Sequence, residues 1–124
     1  METKRMELTR GEEEIMQILW QLGDAVVNEI IARTREPHPK YTTVATFLKI
    51  LENKGFVSHR AEGKSHRYFP LIDREQYART VMSSVLTAYF DGSLSQMVSF
   101  FSRHEQISVG EMEQILEIMR NAKQ

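Results

Sequence analysis

The stretch Tyr41-Thr42-Thr43-Val44-Ala45-Thr46-Phe47-Leu48-Lys49-Ile50-Leu51-Glu52-Asn53-Lys54-Gly55, continued by Phe56-Val57-Ser58-His59-Arg60-Ala61-Glu62-Gly63-Lys64-Ser65-His66-Arg67-Tyr68-Phe69-Pro70, decides the fold. In its first half Val44, Phe47, Leu48 and Leu51 fall at i, i+3, i+4 and i+7, the inward stripe of a helix that Gly55 ends. Thr42, Thr43, Ala45, Thr46, Lys49 and Asn53 are left on the outer face. That face is shallow at its N-terminal end and basic or amide-bearing further on, as a helix entering a groove requires. Thr42 or Thr43 could equally serve as a helix cap. In the second half the period changes to two short segments rich in aromatic and β-compatible residues, a hairpin pattern. Taking Glu62-Gly63 as the turn pairs Ala61 with Lys64, Arg60 with Ser65, His59 with His66 and Val57 with Tyr68. The hairpin is then apolar at its base and presents Arg60, Lys64 and Arg67 towards its tip.

Upstream, Thr9 and Glu12 have the spacing of a capping box, and Ile15, Met16, Ile18, Leu19 and Leu22 carry helical periodicity up to Gly23. A first helix is expected over Arg10 to Leu22. Val26, Val27, Ile30 and Ile31 predict a short second helix, ended by Pro37 and Pro39. Downstream, Asp73 can cap a long helix carrying Tyr77, Val81, Val85 and Tyr89, which Asp91-Gly92 stops. Ser93 and Gln96 precede Leu94, Met97, Val98, Phe100 and Phe101; Ser108 and Glu111 precede Met112, Ile115, Leu116 and Met119. The order is three helices, a basic hairpin and three more helices. This predicts a mainly α fold with a small β-hairpin wing: a winged helix-turn-helix over residues 1–71 and a helical region over 72–124.

The chain has 124 residues and no cysteine, which excludes disulfides, thiolate metal sites and a cysteine nucleophile. Its start is charged and no apolar run approaches membrane length, so a cytoplasmic protein is expected. The net charge of −1 conceals an uneven distribution. Residues 33–67 hold eight basic and three acidic groups, a local excess of +5, in the segment expected to form the third helix and wing. Phosphate contacts there would set register while the helix face reads base edges.

Other features have plainer readings. Trp20 and Tyr68 fit the core better than stacking platforms. Glu12, Glu13 and Glu14 suit a helix N-terminus more simply than acid–base catalysis. His59 and His66 pair across the expected hairpin, but two ligands without a cysteine or well-placed carboxylate make a poor metal site. Neither metal nor cofactor is expected, and no constellation points to an enzyme. The region after Asp73, about 50 residues long, has wide apolar stripes and is small for a core of its own, so a second copy is expected to cover it. The expected dimer residues are Val81, Val85, Tyr89, Leu94, Met97, Phe100, Phe101, Met112, Ile115, Leu116 and Met119.

Leu8-Thr9 with Glu12 to Trp20, Tyr41-Thr42-Thr43-Val44 with Leu48, Leu51 and Lys54-Gly55, the wing ending Tyr68-Phe69-Pro70-Leu71, and Phe90-Asp91-Gly92-Ser93-Leu94 resemble the BlaI/MecI family of penicillinase repressors. The resemblance runs from about Met6 to Met119. It implies a homodimeric repressor that binds a palindromic operator in double-stranded DNA and blocks transcription by occupancy. By this resemblance Thr42, Thr43 and Thr46 would contact DNA from the third helix, and Arg60, Lys64 and Arg67 from the wing; Lys40, Tyr41 and Lys49, at the same helix, are expected to join them. It also implies release by cleavage in a membrane sensor pathway at Phe100-Phe101, where Phe100 replaces the Asn of the best-known members. Without cysteine, the copper-sensing mode of a related branch is excluded. The competing reading is a winged-helix module that binds another protein and not DNA.

Overall fold

The Thr9 hydroxyl accepts a hydrogen bond from the Glu12 amide at 3.3 Å, and the Glu12 carboxylate accepts one from the Thr9 amide at 3.0 Å. This reciprocal cap opens α1 (Arg10–Leu22), which Gly23 ends at φ 87°, a backbone conformation glycine adopts without strain. The structure, a computed structural model, describes residues 7–104 and 107–122. α2 (Val27–Ala32) follows, its start tied by the Glu29 carboxylate accepting from the Val26 amide at 3.0 Å. α3 (Tyr41–Asn53) begins one residue before the threonines, with Lys40 at the cap position and no side chain capping it. Neither Thr42 nor Thr43 is therefore the cap.

β1 (Val57–Glu62) and β2 (Ser65–Pro70) form an antiparallel hairpin whose register differs from the sequence expectation. Glu62 pairs with Ser65, Arg60 with Arg67 and His59 with Tyr68. The two turn residues are thus Gly63 and Lys64, not Glu62 and Gly63. Gly63 has φ 60°, and a two-residue hairpin with glycine in the first central position meets the strand twist without forcing a side chain into the left-handed region. His59 and His66 are diagonal neighbours on one face, not direct partners, although their rings still lie 4.4 Å apart. Ala25 adds a backbone pair to β2, its amide and carbonyl bonding Tyr68 at 2.9 and 2.8 Å, so the turn after α1 is stitched to the wing.

Three helices and this hairpin enclose one core: Ile15, Met16, Ile18 and Leu19 of α1, Val27 and Ile30 of α2, Val44, Leu48 and Leu51 of α3, then Phe56, Val57 and Tyr68. Each fully buried aliphatic side chain contributes roughly 1.5–3 kcal/mol. Tyr68 is a core residue, as the sequence suggests, and Trp20 packs against the core while its Nε1 donates to the Ile72 carbonyl at 2.8 Å.

α4 (Arg74–Phe90) starts from a second reciprocal cap between Asp73 and Gln76. Its first turns belong to the core just described. Tyr77 is buried, 5.8 Å from the Trp20 ring and 5.7 Å from that of Phe56, and Val81 packs beside it. The first compact unit accordingly runs to Val81, and the second begins at Met82, inside α4 and beyond the sequence seam at 71/72. Val81, counted from sequence among the dimer residues, is taken up by the first core.

In the second unit Asp91 and Gly92, at φ 53° and 74°, end α4, and Ser93 caps α5 (Leu94–Arg103) by accepting from the Gln96 amide at 3.1 Å. Ser108 accepts from the Glu111 amide at the start of α6 (Val109–Ala122). Not one described residue from 82 onward is buried. An apolar groove of about 470 Å³ runs between α5 and α6, lined chiefly by Leu94, Val98, Met112, Ile115, Leu116 and Met119. Among the described residues, no helix is long and apolar enough to cross a membrane.

Candidate nucleic-acid interface

The stripe Val44, Leu48, Leu51 fixes α3 by its inner face, and Phe47 packs beside it. Side chains three and four apart share a face, so Thr42, Thr46, Lys49 and Asn53 necessarily line the opposite side, and all four are exposed. Tyr41 and Thr43 are exposed at the same end, and Lys40 is exposed just before it. All six sequence-chosen residues of this region are therefore exposed, with Thr42, Thr46 and Lys49 on the outer face of α3 and Lys40, Tyr41 and Thr43 around its N-terminal end. With no side chain capping α3, its first amides stay available, and helix N-termini favour phosphate.

The wing divides its three cations. Lys64 sits in the turn, exposed and without an ion pair among the described residues. Arg67 is only 19% exposed at its side chain and is held by Glu62 at 2.7 Å, Asp24 at 3.0 Å and Glu29 at 3.3 Å. The hydrogen bonds it donates to Glu62, then to Asp24, hold its guanidinium well above the ordinary arginine range despite some desolvation, and Arg67 in turn holds the Glu62 carboxyl below its usual value. Arg60 reaches the second oxygen of Asp24 at 3.3 Å and lies 5.7 Å from the Phe69 ring centre. Among the described residues, the tertiary structure thus joins Lys64 to no carboxylate, Arg60 to one and Arg67 to three.

Two further links have no signature in the sequence. Lys54, directly after α3, donates to the Glu12 carboxylate at 2.7 Å and to the Glu7 carbonyl at 3.0 Å. The Glu52 carboxylate meets His59 Nδ1 at 3.0 and 3.1 Å, linking α3 to β1. Burial, and after it the negative charge of Glu52, pushes the Tyr68 phenol up. Among the described residues no group of three histidine or acidic side chains is arranged to hold a metal ion. The separation of 42 residues across Lys54–Glu12 explains why no local pattern signals that link, and the same holds for Arg60–Asp24 at 36.

On the second unit, Tyr89, Leu94, Phe100, Leu116 and Met119 are exposed, with Tyr89 at 78%. Val85, Met97, Phe101, Met112 and Ile115 are half-buried. Phe100 and Phe101 lie inside α5, and the Phe100 carbonyl accepts from the His104 amide at 3.2 Å.

The family model for the penicillinase repressor matches residues 8–121. The chain belongs to the penicillinase repressor family. Among curated relatives in the family, it is 32% identical over 123 residues to the penicillinase repressor of Bacillus licheniformis, covering 94% of each chain. It is 26% identical over 122 residues to the methicillin resistance regulatory protein MecI of Mammaliicoccus sciuri, covering 96% of this chain and 98% of that one. The solved DNA-binding domain of the repressor BlaI superposes with a TM-score of 0.51 at 29% identity, covering 57% of this chain and 88% of that domain. The fold is the winged helix expected from the order of elements, with the helical region following it.

Proposed function

We propose that this protein is a DNA-binding transcriptional repressor that seats α3 in the major groove of double-stranded DNA. The observation that carries the reading is the division of α3 into a buried inner face and a continuous exposed face of Thr42, Thr46, Lys49 and Asn53, in a chain of the penicillinase repressor family. Hydroxyls and an amide can exchange hydrogen bonds with base edges, and Lys40 and Lys49 add charge for phosphate. Lys64 is suited to touch the backbone beside them.

The protein acts as a homodimer on a palindromic operator. Supporting this is the second unit, where three apolar helix faces meet solvent and no described residue is fully buried. A two-fold pair would supply the missing cover and present two copies of α3 to related half-sites. Release by cleavage at Phe100-Phe101 would require α5 to unwind locally, since that bond is helical. The setting would be the cytoplasm.

The test is capture of fragmented genomic DNA by the purified protein, followed by titration of recovered sites over a range of salt. Enrichment of a two-fold symmetric sequence, lost when Thr42 and Thr46 are both changed to alanine, is the expected result. Failure to retain any duplex at low salt would overturn it and leave a protein-binding module.

A further inference from the structure

Arg60 and Arg67 are direct cross-strand partners on one face of the wing, and like charges placed so repel. The fold resolves this with carboxylates brought from elsewhere. Arg67 lays Nε and Nη2 on the two oxygens of Glu62 at 2.7 and 2.9 Å and directs Nη1 to Asp24 at 3.0 Å and Glu29 at 3.3 Å. Arg60 Nη2 donates to the other Asp24 oxygen at 3.3 Å. Two arginines therefore face three carboxylates, and this part of the wing carries no excess positive charge. Asp24 is the one acid shared by both. Its neighbour Ala25 makes the backbone pair with Tyr68, which fixes the carboxylate in front of the arginines. A phosphate approaching Arg60, whose side chain is 57% exposed, meets a negative charge already seated beside it.

Building on the reading of this protein as a DNA binder, we propose that Asp24 is a specificity-determining residue: it occupies the wing arginines and so limits sequence-independent attraction to the DNA backbone. Lys64 then supplies the wing's phosphate contact, Arg67 acts as a strut between wing and body, and Arg60 is held in reserve. Binding leans on the face of α3 because indiscriminate phosphate contacts are kept few, and selectivity rises as the non-specific background falls.

The experiment is fluorescence anisotropy of the full chain with a short duplex of arbitrary sequence over a range of KCl concentrations. Asp24→Asn is expected to bind this duplex several-fold more tightly at low salt, with log K falling more steeply against log salt by about 0.9, because Arg60 is then free to neutralise one phosphate. Arg60→Ala should leave the wild-type slope unchanged and abolish the increment in the Asp24→Asn background. Lys64→Ala should lower the slope by about 0.9 in both backgrounds. Glu29→Gln, which leaves the Arg60 pair intact, should change nothing. An unchanged or shallower slope for Asp24→Asn, with thermal unfolding like wild type, would overturn the proposal. If Asp24→Asn does not fold, Arg60→Ala alone decides, because a fall of about 0.9 in the wild-type background contradicts an occupied arginine. Wild type that binds no duplex at all would remove the DNA reading itself, an outcome distinct from these.

Discussion

Lys54 Nζ lies 2.7 Å from Glu12 Oε1, joining the residue that ends α3 to the start of α1. Glu12 is the only buried charged residue among those described. Burial by itself would push its carboxyl up, but the hydrogen bonds from Lys54 and the Thr9 amide, with the Lys54 charge, outweigh this and hold it below the usual carboxylate range. Lys54→Met strands the carboxylate. Removing one partner of a buried pair costs roughly 3–5 kcal/mol, and partial exposure of the ammonium reduces this to about 2 kcal/mol here. A depressed carboxylate contributes stability above its unfolded value, about 4.3, and loses it as pH falls through the folded value. The gap between wild type and Lys54→Met in urea unfolding should therefore be largest near neutrality and close in acid.

Gly11 lets α1 approach α3. A methyl group there would stand 2.7 Å from Cζ of Phe47. Gly11→Ala gains up to about 1 kcal/mol of helix propensity, but crowding a packed ring costs roughly 1–3 kcal/mol, so a net loss of about 1 kcal/mol is expected. Phe47→Leu removes the colliding atom, and in that background Gly11→Ala should stabilise. A double-mutant cycle by denaturant unfolding gives the coupling; additive effects would contradict the contact.

Trp20, the sole tryptophan, donates Nε1–H to the Ile72 carbonyl at 2.8 Å, pinning the segment between β2 and α4. Trp20→Phe keeps most of the apolar surface and leaves that carbonyl unpartnered, at a cost of about 1–2 kcal/mol. Thermal unfolding followed by circular dichroism, at one protein concentration, measures it. A shift in melting temperature within error of zero would mean that water replaces the bond without loss.

The groove between α5 and α6 gives the dimer proposal its own variant. Leu116, at 51% exposure, lines it, and Leu116→Glu places a carboxylate where a second copy would pack. Sedimentation velocity should show wild type as a dimer and Leu116→Glu with a dissociation constant raised at least tenfold, about 1.4 kcal/mol. Wild type sedimenting as a monomer at micromolar concentration would end the proposal.

Helix positions were legible because their determinants are local. Thr9 with Glu12, the stripe from Val44 to Leu51, and the glycines at 23 and 55 each act within a turn or two of chain, so periodicity and capping chemistry suffice to place α1 and α3. The outward face of α3 follows at once, because the inward stripe leaves no choice of side. The hairpin was legible as an element but not in register, since moving the turn by one residue preserves the alternation of faces; the positive φ of Gly63 selects the observed pairing. What the sequence could not supply is which charges meet. Eight basic residues in 33–67 suggest a cationic wing, yet Asp24 and Glu29 lie well upstream and reach Arg60 and Arg67 only after α1 and α2 have folded against β2. Local composition by itself determined the elements and the exposed side of α3. Only tertiary structure decided that Glu12 grips Lys54, that Val81 belongs to the first core and that the wing arginines are occupied, because ion pairing and burial depend on distance in space, which sequence separation does not measure.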